Sequence, residues 1–407
     1  MDTSKSLRYR DFERAVKLNR VSLELTGLWP KIQQNFQQKL MCNIRVLVIF
    51  LATICSIIIP GVHSLIVAHS NLMLVVDNLH FTMPLLNCAI KIVIFWWKKE
   101  ATATIINMMV EDWLRSKSAQ ERNVMMRRAE SARKIVAIEY CLMGLAYVFV
   151  VILPICGIPI KYLTNVTDPG RPTPGPIQTY YIYDVMKTPQ YELTYITYSI
   201  TLFFAILCYA GIDNFLGLVV FHICGQLDIL RHRFTHLDKY MNFHIDLKNC
   251  VMDHTRLLRA ITIVDDLYNV LFLILFLCFA VLFAFYGFVI ISLITEEDKV
   301  SIVRLIYLVS NVINLFAHMC LFCAVGEFLM AQCIYIFKCD TIYYAVYNQE
   351  WYTLGSNKAK NLIPLIIKSR KPVYLTAGKV FPMTLATFSN LLKTSAGYIS
   401  VLFGMSV

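Results

Sequence analysis

Apolar positions in this chain gather in blocks rather than alternating with polar ones. Charge-free runs cover 46–76, 78–90, 140–160, 193–212, 267–295, 305–326 and 380–392. About 20 residues of helix cross the roughly 30 Å hydrocarbon core of a bilayer. The first run is too long for one crossing, and the polar pair Ser70-Asn71 reads as a turn within it. Span 1 is therefore expected at about 46–68 and span 2 at about 72–97, the latter crossed by Lys91. The last run is interrupted by Lys393 and then continues apolar to Val407. The pattern predicts an all-α membrane protein with seven transmembrane helices.

The segments between the blocks carry their own patterns. Loop 3, residues 161–190, holds Pro169, Gly170, Pro172, Pro174, Gly175 and Pro176, a density of turn formers that forbids regular helix. Tyr180, Tyr181, Tyr183 and Tyr191 follow, either at headgroup level or shielding a ligand entrance. In loop 4, Leu227, Leu230, Phe234 and Leu237 recur every three or four residues with Arg231, Arg233 and Asp238 between them. That spacing predicts an amphipathic continuation of span 4 beyond the membrane. Its apolar face needs a partner, expected here from a neighbouring subunit rather than from the same chain. Loop 2, residues 98–134, has mixed charge at helical spacing. No internal repeat is apparent, which argues against the inverted-repeat transporter folds.

Composition strengthens the membrane reading. Of 407 residues, 57% are hydrophobic and 16% charged, against about 45–50% and about 25% in soluble domains. The excess apolar surface needs lipid, and this excludes a disordered chain or a nucleic-acid-binding globule despite a net charge of +11. The first 45 residues are polar, carry nine Lys/Arg and show no cleavable signal peptide, so the first apolar block is expected to act as a retained signal anchor. Charge also sets an orientation. Of 38 Lys/Arg, 31 fall in the N-terminal segment and loops 2, 4 and 6, whereas loops 3 and 5 hold five and loop 1 none. By the positive-inside rule the N-terminus is cytoplasmic and the C-terminus extracellular. The one Asn-x-Ser/Thr sequon, at Asn165, lies in loop 3 on the side assigned as external, a candidate glycosylation site. This topology is the reverse of a G-protein-coupled receptor, and neither Asp-Arg-Tyr after span 3 nor Asn-Pro-x-x-Tyr in span 7 is present.

Enzymatic and metal chemistry find no support. There is no P-loop, HExxH or Gly-x-Ser-x-Gly, and the Cys320/Cys323 pair has no His or carboxylate cluster beside it. His63, His80 and His318 are isolated; no metal or cofactor is expected. Asp77, Glu139, Asp213 and Glu327 flank the spans and read as interfacial acids. The basic pairs Arg127-Arg128 and Arg133-Lys134 fit orientation and contact with anionic lipid.

The C-terminal third carries a resemblance. The stretch Tyr347-Asn348-Gln349-Glu350-Trp351-Tyr352 and the later Lys371-Pro372-Val373-Tyr374-Leu375-Thr376-Ala377-Gly378-Lys379 resemble insect odorant receptors. Residues 388–398, with Lys393, Ser395 and Tyr398 in a Lys-x-Ser-x-x-Tyr pattern, look like that family's seventh span. The short loop 4 is unlike the family's co-receptor, so the chain resembles a tuning subunit. The resemblance implies a non-selective cation channel opened by a small volatile, tetrameric with co-receptor subunits, in the plasma membrane of an olfactory neuron dendrite. A gustatory receptor channel and a metabotropic seven-span receptor are the alternatives.

It also implies a division of the chain: a cytoplasmic segment at 1–45, spans 1–6 with an odorant-binding outer half at 46–336, a cytoplasmic anchor at 337–379 and a pore-lining span 7 at 380–407. The implied ligand pocket draws His80, Phe81, Met83 and Pro84 from span 2, Tyr147, Val151 and Pro154 from span 3, Tyr195, Tyr198 and Ser199 from span 4, and Tyr307, Asn311 and Asn314 from span 6. Ser389, Lys393 and Ser400 share one stripe of span 7, which alone fits either a water-filled path or helix packing. The resemblance favours the pore, with Val401 and Met405 at its constriction and Lys393 in a packing or gating contact.

Overall fold

A computed structural model of the chain describes residues 3–30, 35–67, 72–115, 118–152, 187–235, 243–295, 302–338 and 374–406, together with 69, 155, 156 and 183. It is helical almost throughout. In chain order the helices are α1 (Thr3–Thr26), α2 (Phe36–Val67), α3 (Leu72–Trp97), α4 (Lys99–Leu114), α5 (Ala119–Ile152), α6 (Gln190–Thr235), α7 (Phe243–Thr295), α8 (Ile302–Lys338) and α9 (Leu385–Ser406). Each of the seven expected spans lies on its own helix: α2, α3, α5, α6, α7, α8 and α9. Among the described residues, α2, α5, α6, α7 and α8 contain windows long and apolar enough to cross a membrane. The pair α3 and α4 passes the same test together but is bent by 71° at Lys98. The central part of the region expected as an anchor, 339–373, lies outside the described residues.

Local chemistry explains several boundaries. Pro60 lacks an N–H, and the helix widens into a π turn at Ile54–Ile58 immediately before it. Ser118 opens α5 with a reciprocal capping box, its hydroxyl accepting from the Glu121 amide while its own amide donates to the Glu121 carboxylate. Helix α2 begins ten residues before the expected span because polar residues from Phe36 onward continue the same helix.

The 46 residues of α6 make a rod of about 69 Å, more than twice the bilayer core. Helices α1, α2, α3, α5, α7 and α8 all pack against it. The continuation of span 4 is thus present, but its partner differs from expectation. Leu227, Leu230 and Phe234 are buried within this chain, in the same core as α1 and α5; Leu237 lies outside the described residues. The N-terminal segment supplies part of the cover, because α1 folds onto α4, α5 and α6 and buries Phe12, Val16 and Leu23. Ion pairs ring this half of α6. Arg128 clamps Asp228 through two nitrogens, Arg233 bridges Glu121 and Asp253, and buried Asp112 receives His222 at 3.0 Å and Arg256. Burial opposes ionisation of Asp112, yet its hydrogen bond from His222 and the charge of Arg256 outweigh that and hold its carboxyl below the usual range.

A short antiparallel hairpin, β1 (Thr376–Ala377) with β2 (Phe381–Pro382), carries the chain into α9. Gly378 and Lys379 both take positive φ, +62° and +60°, as the central residues of a tight turn closed by the Val380 amide donating to the Ala377 carbonyl at 3.2 Å. Asp265 of α7 accepts from the Thr376 amide and hydroxyl and pairs with Lys379. Thr384 caps the start of α9, and Glu327 of α8 accepts from the Leu385 amide at 2.8 Å. Gly326 is needed beside it, since a Cβ there would strike the Met383 carbonyl. The entry of α9 is therefore fastened to α7 and α8 together.

Candidate ligand-binding site

Among α3, α5, α6, α7 and α8 the side chains leave a cavity of about 270 Å³. Helix α3 contributes Phe81, Pro84, Leu85 and Cys88, and α5 contributes Met143, Ala146, Tyr147 and Val150. The wall from α6 is Tyr198, Leu202, Ala205, Ile206 and Tyr209, recurring every three or four residues as one helical face must. Leu282 and Tyr286 come from α7, and Asn311, Asn314, Leu315 and His318 from α8. The walls from α3, α5 and α6 are largely apolar, whereas α8 supplies two amides and an imidazole.

Six of the thirteen expected pocket residues line this cavity: Phe81, Pro84, Tyr147, Tyr198, Asn311 and Asn314. Three others lie in the seam between α5 and α6 instead. The Tyr195 hydroxyl donates to the Val151 carbonyl, and the Ser199 hydroxyl donates to the Tyr195 carbonyl at 2.7 Å. Tyr147 joins the same seam, donating to the Ser199 carbonyl at 3.2 Å. Met83 packs with Leu282, Tyr286, Val289 and Leu308, where α3 meets α7 and α8. The side chains of His80 and Tyr307, and Pro154, lie outside the described residues.

Four lining residues that carry polar or ring chemistry were not anticipated: Cys88, Tyr209, Tyr286 and His318. Two of them were within reach of a periodicity argument, since Tyr209 extends the face of Tyr198 and His318 stands seven residues after Asn311. Tyr286 was not, because it belongs to span 5.

A buried ion pair lies behind the cavity wall. Lys91 on α3 donates to both carboxylate oxygens of Asp213 on α6, each at 2.7 Å, with both side chains almost wholly buried. The ammonium also sits 3.5 Å from the centroid of the Tyr209 ring, a cation–π contact. Tyr209 stacks on His318 at 5.9 Å and its hydroxyl lies 3.2 Å from Nε2, while that nitrogen is 3.8 Å from Asp213. Tyr209 and His318 thus stand between the cavity and the ion pair. Behind them a narrow cavity of about 30 Å³ is lined by Glu139, Asp213 and Asn214 with His318. Asp213 is therefore not an interfacial acid. It is the buried partner of the one lysine in span 2, and the pairing offsets what a lone charge would cost in hydrocarbon. Ring contacts continue from His318 through Phe322, Phe272, Tyr268, Phe95 and Phe215 to Trp29, linking four helices to the segment that follows α1.

On α9, Ser389, Asn390, Lys393, Thr394, Gly397 and Ser400 are exposed, as is Val401 at 59%. The buried face carries Phe388 and Ser395 against α7 and α8. The Met405 side chain and Asn165 lie outside the described residues.

Comparisons with known proteins agree with the fold. The family model for the 7tm Odorant receptor matches residues 71–396. Odorant receptor Or2 of Anopheles gambiae is 23% identical over 230 residues, 54% of this chain and 58% of the relative. Odorant receptor 10 of Aedes albopictus is 24% identical over 54% of this chain and 57% of its own length. The chain thus spans little more than half the length of these two curated relatives. Odorant receptor 13a of Drosophila melanogaster is 22% identical over 73% of this chain and 72% of its own. The solved structure of the insect olfactory receptor OR5 from Machilis hrabei superposes with a TM-score of 0.75 at 16% identity, over 98% of this chain and 99% of that one. The same receptor in complex with eugenol superposes with a TM-score of 0.72 at 14% identity. With the matched family model running over most of its length, the chain belongs to the seven-transmembrane odorant receptor family.

Proposed function

We propose that this chain is a tuning odorant receptor subunit: a ligand-gated, non-selective cation channel opened by a small volatile and assembled as a tetramer with co-receptor subunits. The observation that carries the reading is the cavity of about 270 Å³ among five helices of a family member. Its size and its mostly apolar wall with a few polar groups suit a small uncharged ligand. Phe81, Pro84, Tyr147, Tyr198, Asn311 and Asn314 contact the ligand, and His80, Pro154 and Tyr307 are proposed to join them. Met83, Val151, Tyr195 and Ser199 set the wall's shape from behind.

Helix α9 lines the pore. A helix of this length with Ser389, Lys393, Thr394 and Ser400 exposed along it needs water or neighbouring subunits to face. Val401 and Met405 form the constriction, an apolar ring that keeps water out until it widens. Ligand binding favours one packing of α6, α7 and α8 over another, and α9 follows because Asp265 and Glu327 hold its entry. The N-terminal segment 1–45 and the anchor 337–379 lie in the cytoplasm, loop 3 with a glycosylated Asn165 lies outside, and the receptor works in the dendritic plasma membrane.

The test is whole-cell current from cells expressing this chain with and without the co-receptor, with G-protein signalling blocked, during a screen of volatiles. A fast cation current that needs both chains is the expected result. A response abolished by the G-protein block, together with an external N-terminus, would overturn it in favour of a metabotropic receptor.

A further inference from the structure

The side-chain amides and the imidazole of the cavity wall all come from one helix. Asn311, Asn314 and His318 lie on a single face of α8, at i, i+3 and i+7, over about 10.5 Å of helix. Their hydrogen-bonding states differ. The His318 ring nitrogen is engaged with the Tyr209 hydroxyl. Across the cavity the Tyr147 hydroxyl is spent on the Ser199 carbonyl. Asn311 Nδ2 is shielded from solvent and has no hydrogen-bond partner among the described residues. A buried amide donor without an acceptor is an unfavourable arrangement that native proteins rarely leave standing, and this one borders an open space large enough to hold an acceptor.

Two further features narrow what that acceptor belongs to. No carboxylate, lysine or arginine lines the cavity among the described residues, because Tyr209 and His318 cover Lys91 and Asp213. A charged ligand would enter without a counter-ion, at a large desolvation cost. Five rings do line it, those of Phe81, Tyr147, Tyr198, Tyr209 and Tyr286, and rings pack edge-on or offset against other rings. The volume corresponds to roughly nine waters, or a ligand of about ten non-hydrogen atoms.

We infer that the ligand of this cavity is a neutral, ring-bearing compound with one oxygen acceptor, and that Asn311 Nδ2 donates to that oxygen while the ring lies among Phe81, Tyr147 and Tyr198. The inference rests on the receptor reading above and adds to it the chemical class and the orientation of the ligand.

The test uses pairs of compounds that differ only in replacing C=O by C=CH₂: acetophenone with α-methylstyrene, and benzaldehyde with styrene. Full-length chain and co-receptor are expressed together and the current is recorded against concentration. The carbonyl member of each pair is expected to act at a concentration at least about tenfold lower than its hydrocarbon twin, the effect of one buried hydrogen bond. Asn311→Leu should collapse that ratio to about twofold or less, and Asn311→Ser, which keeps a shorter donor, should restore part of it. Equal potency within the pairs, or a ratio that survives Asn311→Leu in receptor shown to reach the surface, overturns the inference. So does a current driven only by amines, carboxylic acids or saturated hydrocarbons, an outcome that leaves the receptor reading standing. Silence toward every volatile, with surface delivery confirmed, sinks the receptor reading itself.

Discussion

Lys91 and Asp213, separated by 122 positions in the chain, meet between α3 and α6 with Nζ at 2.7 Å from both carboxylate oxygens. The pair is roofed by the Tyr209 ring and flanked by His318, so four side chains from three helices depend on one another. Breaking a buried pair from one side leaves the other charge uncompensated, which costs about 3–5 kcal/mol, whereas replacing both partners by apolar groups is often close to neutral. Lys91→Met and Asp213→Leu are each expected to lower the yield of folded receptor and its unfolding temperature in detergent. The double variant should recover most of the loss. Singles that melt like the parent protein would show that the pair contributes little.

Tyr198 and Tyr195 occupy neighbouring turns of α6 but have different tasks. Tyr198 is buried and borders the cavity, whereas Tyr195 points its hydroxyl at the Val151 carbonyl in the α5–α6 seam. Tyr198→Ala should therefore shift odorant potency by about tenfold or more, through lost contact area in the cavity. Tyr195→Phe removes one hydrogen bond, on the order of 1 kcal/mol of stability, and should change receptor yield with little change in tuning. Dose–response curves for odorant beside those for a co-receptor agonist separate the two effects. A tuning shift in Tyr195→Phe larger than that in Tyr198→Ala would reverse the assignment.

These contrasts mark how far residue patterns carry. Helix number and type follow from the apolar blocks, because each block must bury or face lipid over a full crossing. The extension of α6 is likewise written in the spacing of Leu227, Leu230 and Phe234. Partnership is not. Asp213 looks interfacial when read along the chain, since the lysine that neutralises it lies on another helix. The expected partner for the apolar face of α6 is supplied largely by the chain's own elements for a similar reason. Nothing local in the polar N-terminal segment announces that α1 folds back over α4, α5 and α6. Within the cavity, it is the family resemblance that implies the spans and depth to which Tyr198, Asn311 and Asn314 belong. Telling lining from seam needed the rotation of each helix, which one or two turns of polar residues leave open.

Val401 stands at 59% exposure on α9, one turn after Gly397 and Tyr398, which are also exposed. In the proposed tetramer Val401 meets its counterparts on the last helices of the neighbouring subunits, and the ring they form excludes water because it is apolar. Val401→Ser wets that ring. Basal current without odorant is expected to rise, and the permeability ratio between monovalent and divalent cations to change, while odorant potency moves little. Recordings showing unchanged basal current and unchanged selectivity, at equal surface expression, would remove Val401 from the constriction.

His254 lies on the part of α7 that precedes the span, 4% exposed, and burial pushes its imidazole down to about 4. In the unfolded chain a histidine titrates near 6.5. Between those two values the unfolded state holds a proton that the folded state refuses, so stability rises with pH across that window and is lost as pH falls through it. Above about 6.5 both states are neutral and the group has no influence. The displacement corresponds to a loss on the order of 3 kcal/mol by pH 4. Melting temperatures of the purified receptor should therefore decline from pH 6.5 downward. Replacing His254 by Gln, which does not titrate, should make the decline shallower between pH 6.5 and about 5, a window in which ordinary carboxylates stay largely ionised. A variant whose melting temperature falls with the same slope would place the acid sensitivity elsewhere in the molecule.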